Sequence, residues 1–133
     1  MKTLLFLLSV NVSLFTFGQI DSIHFSEYKY VSMINLIATP EKYQDKKVMV
    51  DGYINIEFEG TALYLHEEDY KNGITKNSIS INFLDGFFEK NKINTQDYTQ
   101  KHVIISGIFK NNESCMYSGM IKATSIRLLP FKE

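Results

Sequence analysis

Two short stretches of the chain share one pattern, in which a tyrosine and then a lysine precede alternating aliphatic residues and a glycine. They cover residues 43–52 and residues 98–107. Apolar residues that alternate with a period of two are typical of a strand with one buried face. A glycine inside such a strand marks a bulge or a sharp bend, because it lacks the side chain that obstructs a close backbone approach. Two strands that each bend at a glycine predict a small, strongly curved β-barrel.

The first 18 residues have the layout of a secretory signal peptide. Lys2 supplies a positive charge, an apolar run extends from Leu4 to Phe17, and cleavage is expected between Gly18 and Gln19. The run is shorter than the ~20 apolar residues that a transmembrane helix needs, which disfavours a retained anchor. We therefore expect an exported protein, periplasmic or secreted, with no membrane attachment after cleavage.

The rest of the chain predicts one domain. Residues 19–30 form a lead-in segment, and residues 31–133 are sufficient for a single core. The formal net charge of −1 gives no general attraction to nucleic acid or anionic membranes. Cys115 is the only cysteine, so no intrachain disulfide can form and stability must come from the core. The oligomeric state is left open.

Hydrophobic periodicity predicts five strands after an N-terminal helix. The strands are expected at residues 47–58, 61–65, 77–83, 101–110 and 118–129. Ser32 is expected to cap the first helix, and Asp85 a second helix between the third and fourth strands. In the first strand, five residues of one parity are expected to face the core: Val48, Val50, Ile54, Ile56 and Phe58. This mainly β order predicts an OB-fold, a five-stranded Greek-key barrel that binds ligands on one face.

Two segments resemble known proteins. Residues 36–53, which include a Val-x-Val-x-Gly element ending at Gly52, look like the helix and first strand of many exported bacterial OB-fold domains. The run from Glu57 to Tyr64, Glu-Phe-Glu-Gly-Thr-Ala-Leu-Tyr, resembles a set of small exported bacterial OB-fold proteins of unassigned function. This resemblance covers most of the chain after the signal peptide. It implies an OB-type barrel and brings with it no activity, cofactor or named partner.

The best candidate for a binding surface is the outer face of the first three predicted strands. The outward parity of the first strand mixes polar and aromatic residues, which suits solvent or a ligand. The candidate residues are Tyr53, Tyr64, Glu57, Glu59, Lys76 and Asn77. The alternative is that both tyrosines are packing residues of the sheet, with Tyr64 under a loop. We expect a non-catalytic binding module for a protein, a peptide or a small polar ligand.

Two further hypotheses stay open. The first is a metal-binding protein or a metal-assisted enzyme, whose ligands would be Glu57, Glu59, His66 and Asp69. His66 begins a segment like a zinc-protease helix, but Tyr70 stands where the second histidine ligand would be. The other is nucleic-acid binding, which rests on the fold alone and is opposed by the acidic residues near the tyrosines. No nucleophile elbow or phosphate-binding glycine loop occurs in the sequence, so no motif supports catalysis.

Overall fold

The computed structural model describes residues 27–111 and 116–130. The predicted signal peptide, most of the lead-in segment and Cys115 lie outside the described residues. The strands are β1 (Lys29–Tyr30), β2 (Lys47–Asn55), β3 (Ala62–Tyr64), β4 (Ser78–Phe83), β5 (Lys101–Lys110) and β6 (Met120–Leu128). The α-helices are α1 (Met33–Ala38), α2 (Glu67–Lys71) and α3 (Phe87–Lys90), and 3₁₀ turns cover Pro40–Tyr43, Thr75–Asn77 and Thr95–Asp97.

Strands β2 to β6 close into a barrel of the OB type. Their order is β2-β3-β4-β6-β5, and β5 pairs antiparallel with β2 to close it, from Lys47↔Ile108 to Ile54↔Lys101. The β4–β6 pair is parallel, whereas the other neighbouring pairs of the barrel are antiparallel. The short strand β1 pairs with β2 in parallel as a sixth strand. The mainly β, OB-type fold predicted from the sequence is confirmed.

The interior of the barrel is filled by the alternating aliphatic residues of the strands. Val48, Val50 and Ile54 on β2 are at most 1% exposed. The core also takes residues from α1 and from every other strand of the barrel: Leu36, Leu63, Ile79, Val103, Ile105, Phe109 and Ile121. Burial of these side chains is the main favourable term that holds the barrel together.

Gly52 and Gly107 allow neighbouring backbones and side chains to approach the two long strands closely. The β5–β6 register shifts between Ser106 and Gly107, which is the mark of a β-bulge. A Cβ on Gly107 would overlap the backbone of β6, and a Cβ on Gly52 would lie 2.7 Å from the carbonyl oxygen of Tyr64. Glycine is therefore required at both positions for the same reason: a side chain there would overlap the neighbouring strand.

The N-terminal helix begins as predicted. The Ser32 Oγ accepts a hydrogen bond from the Asn35 N–H at 3.2 Å, which satisfies one of the unpaired donors of the first turn. The helix ends at Ala38, and Pro40 opens the following 3₁₀ turn. Met33 and Leu36 are buried, so α1 covers part of the core.

The prediction that Phe58 faces the core is wrong, since its side chain is 101% exposed. Strand β2 ends at Asn55, and residues 56–61 form the loop to β3. The alternation that buries Val48 and Val50 therefore stops before Phe58, because it holds only while the chain stays in a strand.

The helix expected between β4 and β5 is present but short, and Asp85 is not its cap. The residue before α3 is Gly86, which has a left-handed conformation with φ 74° and provides no side-chain cap. The Phe87 N–H instead donates to the Leu84 carbonyl oxygen. Among the helices of the described residues, none has both the length and the apolar character needed to cross a membrane.

Candidate binding site

A groove lies at the end of the barrel where β2 and β4 end and β5 begins. The Gln100 N–H donates to the Ile54 carbonyl oxygen, which places the start of β5 beside the end of β2. The groove has a volume of about 640 Å³. It is lined by the β2–β3 loop, by residues 80–83 of β4 and by residues 84–89, with Thr95 and Met120.

Internal hydrogen bonds hold the β2–β3 loop in one shape. The Thr61 Oγ1 donates to the Glu57 carbonyl oxygen at 2.8 Å and accepts from the Glu57 N–H at 3.1 Å. The Asn55 Nδ2 donates to Glu57 Oε1 at 2.6 Å. Because the loop is tied at both ends, Phe58 is presented to solvent from an ordered backbone. Less conformational entropy is lost when such a side chain binds a partner.

The groove carries an aromatic surface made of three phenylalanines. The ring centroid of Phe83 lies 4.8 Å from that of Phe87 and 4.7 Å from that of Phe88. Phe83 and Phe87 also pack against the barrel core. Leu84, which follows β4, is 77% exposed. Phe58 lies on the β2–β3 loop, which lines the same groove. Exposed apolar side chains that share one groove make it a candidate site of interaction.

The charged residues that line the groove are all acidic. Glu57, Asp85 and Glu89 contribute carboxylates. Among the described residues that line the groove, none is a lysine, arginine or histidine. These carboxylates repel phosphate groups and attract cations. The groove therefore combines apolar contact area with attraction for lysine or arginine side chains.

The outer face predicted from the sequence is covered by the chain itself. Tyr53 is 5% exposed and Tyr64 is 8% exposed. Tyr70 of α2 lies over both, with its ring centroid 5.7 Å from that of Tyr53 and 5.4 Å from that of Tyr64. Burial raises the pKa of both phenols above the ordinary value. This corrects the expectation of an open aromatic surface, and it corresponds to the packing alternative.

The polar members of the predicted binding face are dispersed. The Asn77 Nδ2 donates to Asp69 Oδ1 at 2.9 Å, so this amide holds the 3₁₀ turn after α2. Lys76 is exposed on the same turn, where its carbonyl oxygen accepts from the Ser118 hydroxyl. Glu59 is exposed on the β2–β3 loop. Of the six predicted residues, Glu57 is the one that lines the groove.

The four predicted metal ligands are not brought together. Asp69 is 7% exposed, and its Oδ2 accepts from the His66 N–H at 3.1 Å while its Oδ1 accepts from Asn77. Both oxygens therefore tie the start of α2 to the turn at residues 75–77. Within residues 27–111 and 116–130, no group of three or more His, Cys, Asp and Glu side chains is placed to hold a metal ion.

Sequence reasoning missed most of the groove. The residues that it did not propose as a site are Phe58, Phe83, Leu84, Asp85, Phe87, Phe88 and Glu89. Phe83 was expected to end the third strand, and residues 84–100 were expected to supply the helix between the third and fourth strands, so neither was assigned to a binding site. No local pattern marks these residues as a site, because their exposure depends on how the segment packs against the rest of the chain.

The barrel is similar to the crystal structure of a DUF3299 family protein from Pseudomonas aeruginosa PAO1, with a TM-score of 0.51 and 13% sequence identity. The match covers 69% of this chain and 66% of that chain, so this chain spans just under two thirds of its length. At this identity the likeness shows a shared fold. No protein-family model matches the sequence, and no curated protein is significantly similar to it.

Proposed function

We propose that this chain is an exported, non-catalytic binding module whose groove holds a segment of a partner protein or peptide. The segment carries an apolar side chain next to a lysine or arginine. The observation that carries the proposal is that exposed Phe58 and Leu84 line one groove whose charged lining residues are all acidic. Aromatic anchors that exclude water provide most of the affinity in such contacts, and the charges add specificity and speed of association.

Other occupants fit these features less well. A second copy of the chain would bring the same carboxylates face to face, and like charges in an interface cost affinity. Nucleic acid would be repelled for the same reason. A small polar ligand would leave Phe58 in water, because this side chain is 101% exposed and a small molecule would not cover it. A peptide segment is long enough to contact both the loop and the aromatic surface.

Selection from a random peptide library displayed on phage tests the proposal. We expect the purified protein to enrich sequences that place an aromatic residue or leucine within a few positions of lysine or arginine. A synthetic peptide of the enriched sequence should lose at least about tenfold in affinity when Phe58 is replaced by Ser. The matched control is Ile34→Ser, since Ile34 is 61% exposed on α1 and outside the groove. Equal losses in the two variants, or enrichment without basic residues, would contradict the proposal.

The charge of the groove is tested separately. The double variant Asp85→Asn and Glu89→Gln should weaken the same peptide by a factor that shrinks as salt is added, because added salt screens exposed charges. The control is Glu41→Gln, which removes a carboxylate from an exposed position outside the groove. If affinity for the peptide does not depend on salt in the unaltered protein, the electrostatic part of the proposal is refuted.

A further inference from the structure

The groove exposes one edge of β4. The β3–β4 pairing runs from Tyr64↔Ser78 to Ala62↔Ser80, and one more hydrogen bond joins the Ile81 N–H to the Thr61 carbonyl oxygen. In the described residues, this is the last backbone hydrogen bond between the β2–β3 hairpin and β4. Strand β4 nevertheless continues to Phe83, where it pairs with β6 on its other side.

The backbone of Phe83 points toward the groove. The Ser80 N–H donates to the Gly119 carbonyl oxygen on the β6 side, whereas the Ile81 N–H points to the β3 side. Successive residues of a strand direct their N–H and C=O groups to opposite edges. Phe83 therefore presents both groups on the same edge as Ile81, at a level where β3 has already ended. Within the described residues, no strand pairs with Phe83 on that edge.

We propose that the partner segment binds as an added β-strand along this edge of β4, in the place that a longer β3 would occupy. The inference rests on the proposed function and specifies its mode of recognition. An unpaired strand edge is a ready template for another chain, and peptide recognition by strand addition uses backbone hydrogen bonds for affinity. Specificity comes from alternate side chains, which lie on one face of the added strand. The segment that fits is extended, with alternating apolar and basic residues.

Backbone N-methylation of a model peptide tests this mode. The probe is acetyl-Lys-Phe-Lys-Phe-Lys-amide, compared with one version methylated on both phenylalanine amides and one methylated on the second and third lysine amides. In an added strand, alternate amides point to opposite edges, so either the phenylalanine amides or the lysine amides, but not both, donate hydrogen bonds to β4. One set should therefore lose about tenfold or more in affinity, while the other stays within about twofold of the parent peptide. Similar affinities of both sets, whether lowered or unchanged, would overturn strand addition.

Amide hydrogen exchange gives an independent reading of the same edge. Saturating peptide should slow exchange of the Phe83 amide, while the Ser80 amide, already bonded to Gly119, serves as the control. Unchanged exchange at Phe83 would also overturn the inference. If Phe58→Ser weakens the peptide but both methylated sets bind alike, strand addition fails and the proposed function stands. If the unmodified peptide does not bind at millimolar concentration, both fail.

Discussion

Replacing Gly107 by Ala tests whether the β5 bulge depends on a residue without a side chain. The added Cβ would overlap the Lys122 carbonyl oxygen and would lie 2.6 Å from Ile121 Cγ2 and 2.9 Å from Ala123 Cα. Two of these three atoms belong to the backbone of the paired strand, so no change of rotamer relieves the contact. Either β6 moves or the β5–β6 hydrogen bonds lengthen at the bulge.

The cost follows from the nature of these contacts. Overpacking a well-packed interior typically costs about 1–3 kcal/mol, and displacement of backbone belongs at the upper end of that range. We therefore expect a loss of about 3 kcal/mol in the free energy of unfolding, a large share of the 5–15 kcal/mol typical of a domain. For a domain of this size, the melting temperature should fall by about 10–15 °C. Urea denaturation and thermal melting, both followed by circular dichroism, measure the two quantities.

Gly86→Ala is the matched control. A Cβ at Gly86 has no heavy atom within 4 Å, but φ is 74°, so Ala there meets only backbone strain of about 1 kcal/mol. The Gly107 variant should thus be less stable than the Gly86 variant by about 2 kcal/mol. Equal stability of the two variants, or a Gly107 variant within about 0.5 kcal/mol of the unaltered protein, would refute the reasoning.

Three further outcomes are expected. Asp69→Asn should lower the free energy of unfolding by about 1–3 kcal/mol, because the buried carboxylate accepts from two donors; urea unfolding that shows no loss would contradict this. Burial raises the pKa of Tyr64 above 10.0, so the stability linked to it is complete below that pH and falls as pH rises through the folded-state pKa. Ultraviolet titration of the protein and of Tyr64→Phe should show one phenol fewer in the late part of the transition, and identical curves would count against the assignment. The hydrogen bond from Lys110 lowers the pKa of Asp45, so the pair stabilises the fold above the unfolded carboxyl pKa near 3.8 and that contribution is lost as pH falls. NMR titration should show the Asp45 pKa rise in Lys110→Met, and an unchanged value would rule out the pairing in solution.

The barrel was predictable because its determinants are local. The period of two at Val48 and Val50 recurs at Val103 and Ile105, and each run ends at a glycine where a Cβ would overlap its neighbours. The Ser32 cap is also a local signal, since the hydroxyl and the N–H it accepts from are only three residues apart. Such patterns act within one element, so they can be recognised without knowledge of its neighbours.

The candidate site was less predictable because exposure depends on distant segments. The alternation that places Tyr53 on the outer face of β2 is the same whether that face meets water or α2. The contact with Tyr70 of α2 decides whether Tyr53 is buried, and no residue close to Tyr53 in the sequence indicates that contact. The prediction that Phe58 is buried was wrong because the apolar pattern continues past the end of the strand. The hydrogen bonds between Glu57 and Thr61 form a loop there instead.

By itself, the sequence determined the order of strands, the glycines that allow their close approach and hence the OB-type barrel. The hydrophobic period is a property of consecutive residues, and burying one face of each strand leaves few ways to arrange five strands. Only the tertiary structure decided which surface stays open. Helix α2 covers the tyrosines of the expected face, whereas the β2–β3 loop and the segment 84–89 lie apart and leave the acidic, aromatic groove between them. Accessibility is set by which remote segments pack together, and that information is not carried by any single stretch of the chain.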